Sequence, residues 1–173
     1  MKLRNATSKE IPYIMEIIEN ARLRLKAQGI DQWQKQYPDE ETIENDIKNN
    51  ESFVFVNDKD NQIYGTVAVS FRGEVTYEKI YEGEWISEYP YAVVHRIAVH
   101  NNYQRQGIAT QVLTQIETMC KDLGVKSIRI DTHRDNLPMQ KSLIGLSYTK
   151  CGFIYLKDGS ERLAFEKIIK AND

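Results

Sequence analysis

Near the start of the chain Ile11, Ile14, Ile18, Ala21 and Leu25 recur at helical spacing behind the capping residues Thr7 and Ser8. The pattern predicts a helix that Gly29 stops, preceded by a short strand over residues 3–6. A polar connector from Gln32 to Pro38 leads to a second helix, capped by Asp39, with Ile43 and Ile47 on its apolar face. Residues 53–56 and 63–71 are β-branched and aromatic, and the turn-forming residues 57–61 between them predict a hairpin. Residues 72–88 lack a clean period and read as a loop with one helical turn near 77–81, before a strand over Tyr91–Val99.

Helical spacing returns over residues 107–123, where Ile108, Val112, Leu113, Ile116, Met119 and Cys120 trace one face and Gly124 supplies the stop. Residues 127–131 read as the next strand. Strand, helix and strand in this order predict a parallel pair with a right-handed crossover, and a ligand belongs at the carboxyl ends of such strands. A shorter helix over 137–146 tolerates Pro138 in its first turn, and residues 149–155 and 162–169 form a terminal hairpin across Lys157-Asp158-Gly159-Ser160. The expected class is α+β, a mixed and mostly antiparallel sheet flanked by helices.

Composition narrows the function classes. At 173 residues and 41% hydrophobic content, one domain spanning residues 1–173 is expected. A formal charge of −2, with both signs mixed along the chain, offers no broad cationic face, so nucleic acid is not an expected partner. Cys120 and Cys151 lie far apart without Cys-x-x-Cys spacing, and the three histidines are scattered, which suggests neither a disulfide framework nor a metal site. No apolar leader follows Met1 and no run of about 18 apolar residues occurs. A cytoplasmic protein without membrane association is expected.

The segment most informative about chemistry is Gln104-Arg105-Gln106-Gly107-Ile108-Ala109, which follows an apolar strand and opens a helix. The first turn of a helix leaves backbone N–H groups without carbonyl partners, and a glycine there lets a phosphate approach unobstructed by Cβ. Thr110 adds a hydroxyl donor. Read alone, the segment serves equally as an ordinary strand-to-helix turn. A lone Gly107 fits neither a P-loop nor a three-glycine dinucleotide fingerprint.

Together with Val99-His100-Asn101-Asn102-Tyr103 before it, this stretch resembles the acyl-CoA signature of the GNAT superfamily, Gln/Arg-x-x-Gly-x-Gly/Ala, without gaps. Asp131-Thr132-His133-Arg134-Asp135-Asn136-Leu137-Pro138-Met139 is similar to that family's next strand and its asparagine-led helix. The resemblance runs from about Leu3 to Ile169. It implies that the strands over 91–99 and 127–131 splay apart to admit the pantetheine arm of acetyl-CoA. It also implies that Ile97, Ala98 and Val99 bond the pantetheine amides through their backbone, as an added strand would. Gln104, Arg105, Gln106, Gly107, Ile108, Ala109 and Thr110 then cradle the pyrophosphate, and Asn136 and Ser142 contact the arm. Seven residues after that asparagine the family often places a tyrosine that protonates the leaving thiolate. Leu143 stands there and cannot donate a proton, while Ser147 and Tyr148 replace the glycine and phenylalanine that follow.

The implied activity is direct transfer of an acetyl group from acetyl-CoA to a primary amine of a small molecule or peptide, with no metal. His95, on the strand two residues before the pantetheine segment, is the imidazole placed to act as base, unless strand alternation turns it into the core. Glu82, Glu84 and Trp85 sit in an acidic and aromatic stretch suited to a cationic amine, and Trp33 is a further candidate contact. The competing reading is a CoA-binding sensor or interaction module without turnover, which Leu143 supports. A homodimer is a further expectation, with no interface indicated.

Overall fold

The computed structural model describes residues 1–170. Seven strands and four α-helices follow one another as β1 (Lys2–Asn5), α1 (Ile11–Ala27), α2 (Glu40–Lys48), β2 (Ser52–Val56), β3 (Ile63–Ser70), β4 (Tyr91–Val99), α3 (Ile108–Asp122), β5 (Ser127–Thr132), α4 (Leu137–Gly145), β6 (Thr149–Tyr155) and β7 (Glu161–Ile168). Strand order is β1-β2-β3-β4-β5-β7-β6, with β1/β2, β2/β3, β5/β7 and β6/β7 antiparallel, β4/β5 parallel, and helices flanking the strands. The described residues divide into two compact units, 1–69 with 96–115 and 70–95 with those from 116 onward, so that both β4 and α3 pass from one unit into the other.

In the first unit β1 and β3 flank β2, with Leu3 opposite Phe55 and Phe53 opposite Val67. The apolar face of α1 (Ile11, Ile14, Ile17, Ile18, Ala21) packs with Ile43 of α2, with Val54 and Val56 of β2 and with Ala98 of β4. The start of α1 is tied down locally. Thr7 N–H donates to Glu10 Oε2 at 2.8 Å, and Arg4 forks onto both oxygens of the same carboxylate at 3.1 and 2.6 Å. Asp39 caps α2 by accepting from Thr42 N–H at 2.9 Å, as its position ahead of the helix predicts.

The second unit holds the first half of β4, in parallel register with β5 from Tyr91↔Ser127 to Val94↔Ile130, and the β5-β7-β6 ladder beside it. Tyr77, Val93, Ile154 and Ala164 form a buried cluster here, with Trp85 and Tyr91 against it. The segment between β3 and β4 carries only a 3-10 turn, Val75–Tyr77. This turn sits ahead of the predicted position because Glu74 caps it, accepting from Thr76 N–H and Oγ1 at 3.0 Å each.

For all its irregularity this segment is fixed at several points, and it forms a strap. Tyr81 and Phe153 exchange backbone hydrogen bonds at 2.8 and 2.9 Å. Two glycines then let backbones touch: a Cβ on Gly83 would stand 1.8 Å from the Cys151 carbonyl oxygen, and one on Gly152 2.4 Å from that of Tyr81. Farther along, the wholly buried Glu166 accepts from Ile86 N–H (2.6 Å), Ser87 Oγ (2.7 Å) and Ser127 Oγ (2.6 Å), and Arg129 lies 3.4 Å from its Oε1.

Candidate active site

In the first unit the end of β4 turns into α3 through a stretch whose conformations are set residue by residue. Arg96 takes a left-handed φ of 55° within β4, which interrupts the extended run just past the β4/β5 register. Its guanidinium forks onto Asp46 (2.9 and 2.7 Å) and donates to Tyr37 Oη at 2.8 Å. Beyond it, His100 N–H reaches Tyr64 O at 2.9 Å, and the Ala98 carbonyl lies against Gly65, where a Cβ would come within 2.9 Å. His100 therefore bonds to β3, and the Ala98 carbonyl lies on the same edge beside it. Alternation along the strand turns the backbone groups of Ile97 and Val99 to the other edge. The Val99 carbonyl there accepts from Gln104 Nε2 at 2.6 Å and from Arg24 Nη2 at 3.2 Å.

The loop that follows is braced by stacked rings, Tyr64 on Tyr103 at 3.8 Å and Tyr13 on His100 at 5.8 Å. Gln106 Nε2 donates back to Asn102 O at 3.2 Å. Arg105 and Gly107 both lie in the left-handed region, at φ 60° and 71°. Helical bonding begins with Gln111 N–H to Gly107 O, so the N–H groups of Ile108, Ala109 and Thr110 precede the ladder. Alternating backbone handedness followed by a bare helix start is an anion nest. A Cβ built on Gly107 meets nothing within 4 Å, so the approach to these N–H groups is open. The Ile108 side chain meanwhile points into the core at 2% exposure and anchors the turn from behind. The residues present therefore fit a pyrophosphate.

In the second unit His95 is partly buried, its Nε2 lying 3.4 Å from Glu74 Oε2. The imidazole faces the Tyr77 ring at 6.3 Å, and the Tyr77 hydroxyl donates to Asp131 Oδ2 at 2.6 Å. The contact with His95 and the bonds from Thr76 hold the Glu74 carboxyl down at about 2, against the cost of burial. Burial and the facing Asp131 carboxylate push the Tyr77 hydroxyl well above its ordinary value.

Among the acceptor candidates, Trp85 has its indole engaged. Its Nε1 donates to Tyr77 O at 2.9 Å, and the Arg129 guanidinium lies 4.2 Å from the ring centre. Glu82 and Glu84 are exposed on the strap. In the first unit Trp33 packs at the edge of the α1 core with φ 63°. In the second, Asn136 caps α4 by accepting from Met139 N–H at 3.3 Å, and Ser142 Oγ donates to Pro138 O at 3.1 Å. Leu143 is fully buried, and the buried Tyr148 hydroxyl has no hydrogen-bond partner among the described residues.

His100 and His133 each accept from the backbone N–H two residues ahead. Among the described residues no group of three or more His, Cys, Asp or Glu could hold a metal ion, and no helix is long and apolar enough to cross a membrane. The sequence pattern gives no role to Asp131 or Arg96, and it groups Glu74 with the acidic residues of the stretch suited to a cationic amine. The signal for Glu74 was local: a glutamate two residues before Thr76 is a turn cap, unlike its neighbours Glu78, Glu82, Glu84 and Glu88.

Comparison with known proteins identifies the family and the fold. The profile of the Acetyltransferase (GNAT) family matches residues 16–153. A GNAT-family acetyltransferase structure from Streptococcus agalactiae 2603 is 35% identical, with a TM-score of 0.88, covering 98% of this chain and 95% of its own. One from Listeria monocytogenes 4b F2365 shares 18% identity at a TM-score of 0.76, covering 96% and 94%. The ribosomal-protein-S18-alanine N-acetyltransferase of Escherichia coli shares the fold at 14% identity and a TM-score of 0.66, covering 99% and 96%. No curated protein matches the chain in sequence.

Proposed function

Because the chain belongs to the GNAT acetyltransferase family, we propose that it moves an acetyl group from acetyl-CoA to a primary amine of a small molecule or peptide. The observation that carries this reading is the turn at Gly107, left-handed at Arg105 and Gly107 ahead of a bare helix start, where a Cβ on Gly107 meets nothing within 4 Å. The N–H groups of Ile108, Ala109 and Thr110 hold the pyrophosphate. Ile97 and Val99 offer their N–H groups to the pantetheine amides, whereas the Ala98 carbonyl lies against Gly65 of β3 and the Val99 carbonyl is taken by Gln104 and Arg24. Asn136 and Ser142 are further contacts for the arm.

When bound, acetyl-CoA supplies a thioester carbonyl open to attack by an amine. His95 takes the amine's proton, directly or through one water. Leu143 cannot protonate the leaving thiolate, and a CoA thiol is acidic enough to depart with help from water alone. The acceptor is cationic before it reacts, drawn by the carboxylates of Glu82 and Glu84. On this reading Glu82→Gln combined with Glu84→Gln raises the KM of a cationic acceptor and leaves that of a neutral one unchanged.

The deciding experiment pairs the two glycines that flank α3. Gly107 and Gly124 have φ of 71° and 69°, and a Cβ on either meets nothing within 4 Å. Alanine at each carries the same left-handed strain, about 1–2 kcal/mol. Calorimetry is expected to show acetyl-CoA binding lost or weakened more than tenfold in Gly107→Ala and unchanged in Gly124→Ala. Equal affinities would remove the nest. Thiol release is then followed with polyamines, amino acids, aminoglycosides and peptides, and binding without turnover of any amine would favour a CoA sensor.

A further inference from the structure

The Glu74 carboxylate is committed at both oxygens. Oε1 accepts from Thr76 N–H and Thr76 Oγ1, which fixes the plane of the group, and Oε2 is turned to His95 Nε2. The Glu74 backbone is placed as well, its N–H reaching Tyr91 Oη at 3.4 Å. Tyr91 belongs to the same strand as His95, so carboxylate and imidazole share a frame.

Other groups near the ring are occupied elsewhere: the Tyr77 hydroxyl proton goes to Asp131, and the Arg129 guanidinium stacks on Trp85 and Tyr91. Among the described residues Glu74 is the only polar side chain that pairs with the imidazole. At 3.4 Å the contact is long for a charge-assisted bond, and catalytic hydrogen bonds tighten in the complex with substrate.

Resting on the reading of His95 as the base, we infer that Glu74 is its positioning residue: it holds the imidazole proton on Nε2, so that Nδ1 presents the lone pair that takes the proton from the amine. The balance is simple. An ammonium proton of the acceptor moves to Nδ1, the freed nitrogen lone pair forms the new bond to the acetyl carbon, the carbon–sulfur bond breaks toward sulfur, the surplus proton on the new amide nitrogen passes through water to the thiolate, and the imidazolium rests against Glu74 until it loses its proton to solvent. Glu74 bears the counter-charge and does not itself become protonated.

Glu74→Gln reverses the arrangement. With Thr76 still claiming an oxygen, the amide NH₂ of glutamine faces the imidazole and needs a lone pair on Nε2. The proton is driven to Nδ1, where the base should be free.

Nitrogen NMR of the imidazole, recorded without acetyl-CoA, is expected to show the neutral ring protonated at Nε2 in the wild type and at Nδ1 in Glu74→Gln. In assays at neutral pH, Glu74→Gln is expected to lower kcat by about 10–100-fold, a fraction of the roughly 10²–10⁴-fold that a positioned general base supplies. Acetyl-CoA affinity stays unchanged, and Glu74→Gln adds no further loss on top of His95→Gln. The same tautomer in both proteins, or multiplicative losses in the double variant, would overturn the role of Glu74 while leaving acetylation standing. A wild type that binds acetyl-CoA yet turns over no amine would overturn His95 as a base and this inference with it, whatever the tautomer.

Discussion

Glu74 stays ionised far into acid because the imidazole beside it and two bonds from Thr76 favour its charged form. A carboxyl whose value falls on folding, here from 4.5 to about 2, binds its proton more tightly in the unfolded chain. The stability it supplies is therefore complete above the unfolded value and is lost as pH drops toward the folded one. Thermal melts between about pH 5 and about pH 2 are expected to show a smaller drop in Tm for Glu74→Gln than for the wild type. Glu10, lowered chiefly by its bond to Arg4, keeps its own contribution in both proteins and adds to the acid slope that remains. Equal slopes would mean that the Glu74 carboxylate gains nothing from its neighbours on folding.

At the scale of elements, the strap between β3 and β4 shows how a segment without period becomes rigid. Its fixed points are backbone hydrogen bonds at Tyr81, the close approach of Gly83 and Gly152, and the buried acceptor Glu166. Gly83→Ala has no room, since the obstructing atom is a main-chain carbonyl that cannot rotate aside. Urea unfolding is expected to give a loss of at least about 2 kcal/mol for this variant. The neighbouring Glu82→Ala, with an exposed side chain, is expected to stay within about 0.5 kcal/mol. A Gly83→Ala midpoint equal to wild type would show that the strap yields without cost. Because Glu74 lies on this strap, its rigidity also bears on how well the carboxylate is aimed.

Across the whole molecule both thiols are withdrawn from chemistry. Burial pushes Cys120 up to about 12 and Cys151 up to about 11, so neither forms much thiolate at mildly alkaline pH. A disulfide reagent at about pH 8 is expected to titrate neither cysteine in the folded protein and both in denaturant, with a rate that follows opening of the fold. CoA release can then be read with the same reagent without background from the enzyme. Rapid consumption of one equivalent by the folded chain would contradict the burial of one of them.

Much of the fold follows from local pattern. The period of Ile11 to Ala21, the apolar run of Tyr91–Val99 and the helical face behind Gly107 each depend on neighbours within a few residues, and each element lies close to where its pattern puts it. The nest was legible for the same reason, since the Gly107 turn and the bare helix start are consecutive in the chain. Pairs distant in sequence were not legible. Nothing in residues 72–88 singles out Glu74 as the carboxylate that meets His95, or Gly83 as the glycine beneath the Cys151 carbonyl. Nor does periodicity reveal that Arg96 leaves the extended conformation while its guanidinium pairs with Asp46 and Tyr37. Hydrophobic spacing fixes which face of an element is buried. Which polar groups then share that buried space depends on how the strands are ordered and registered, and only the tertiary structure decides it.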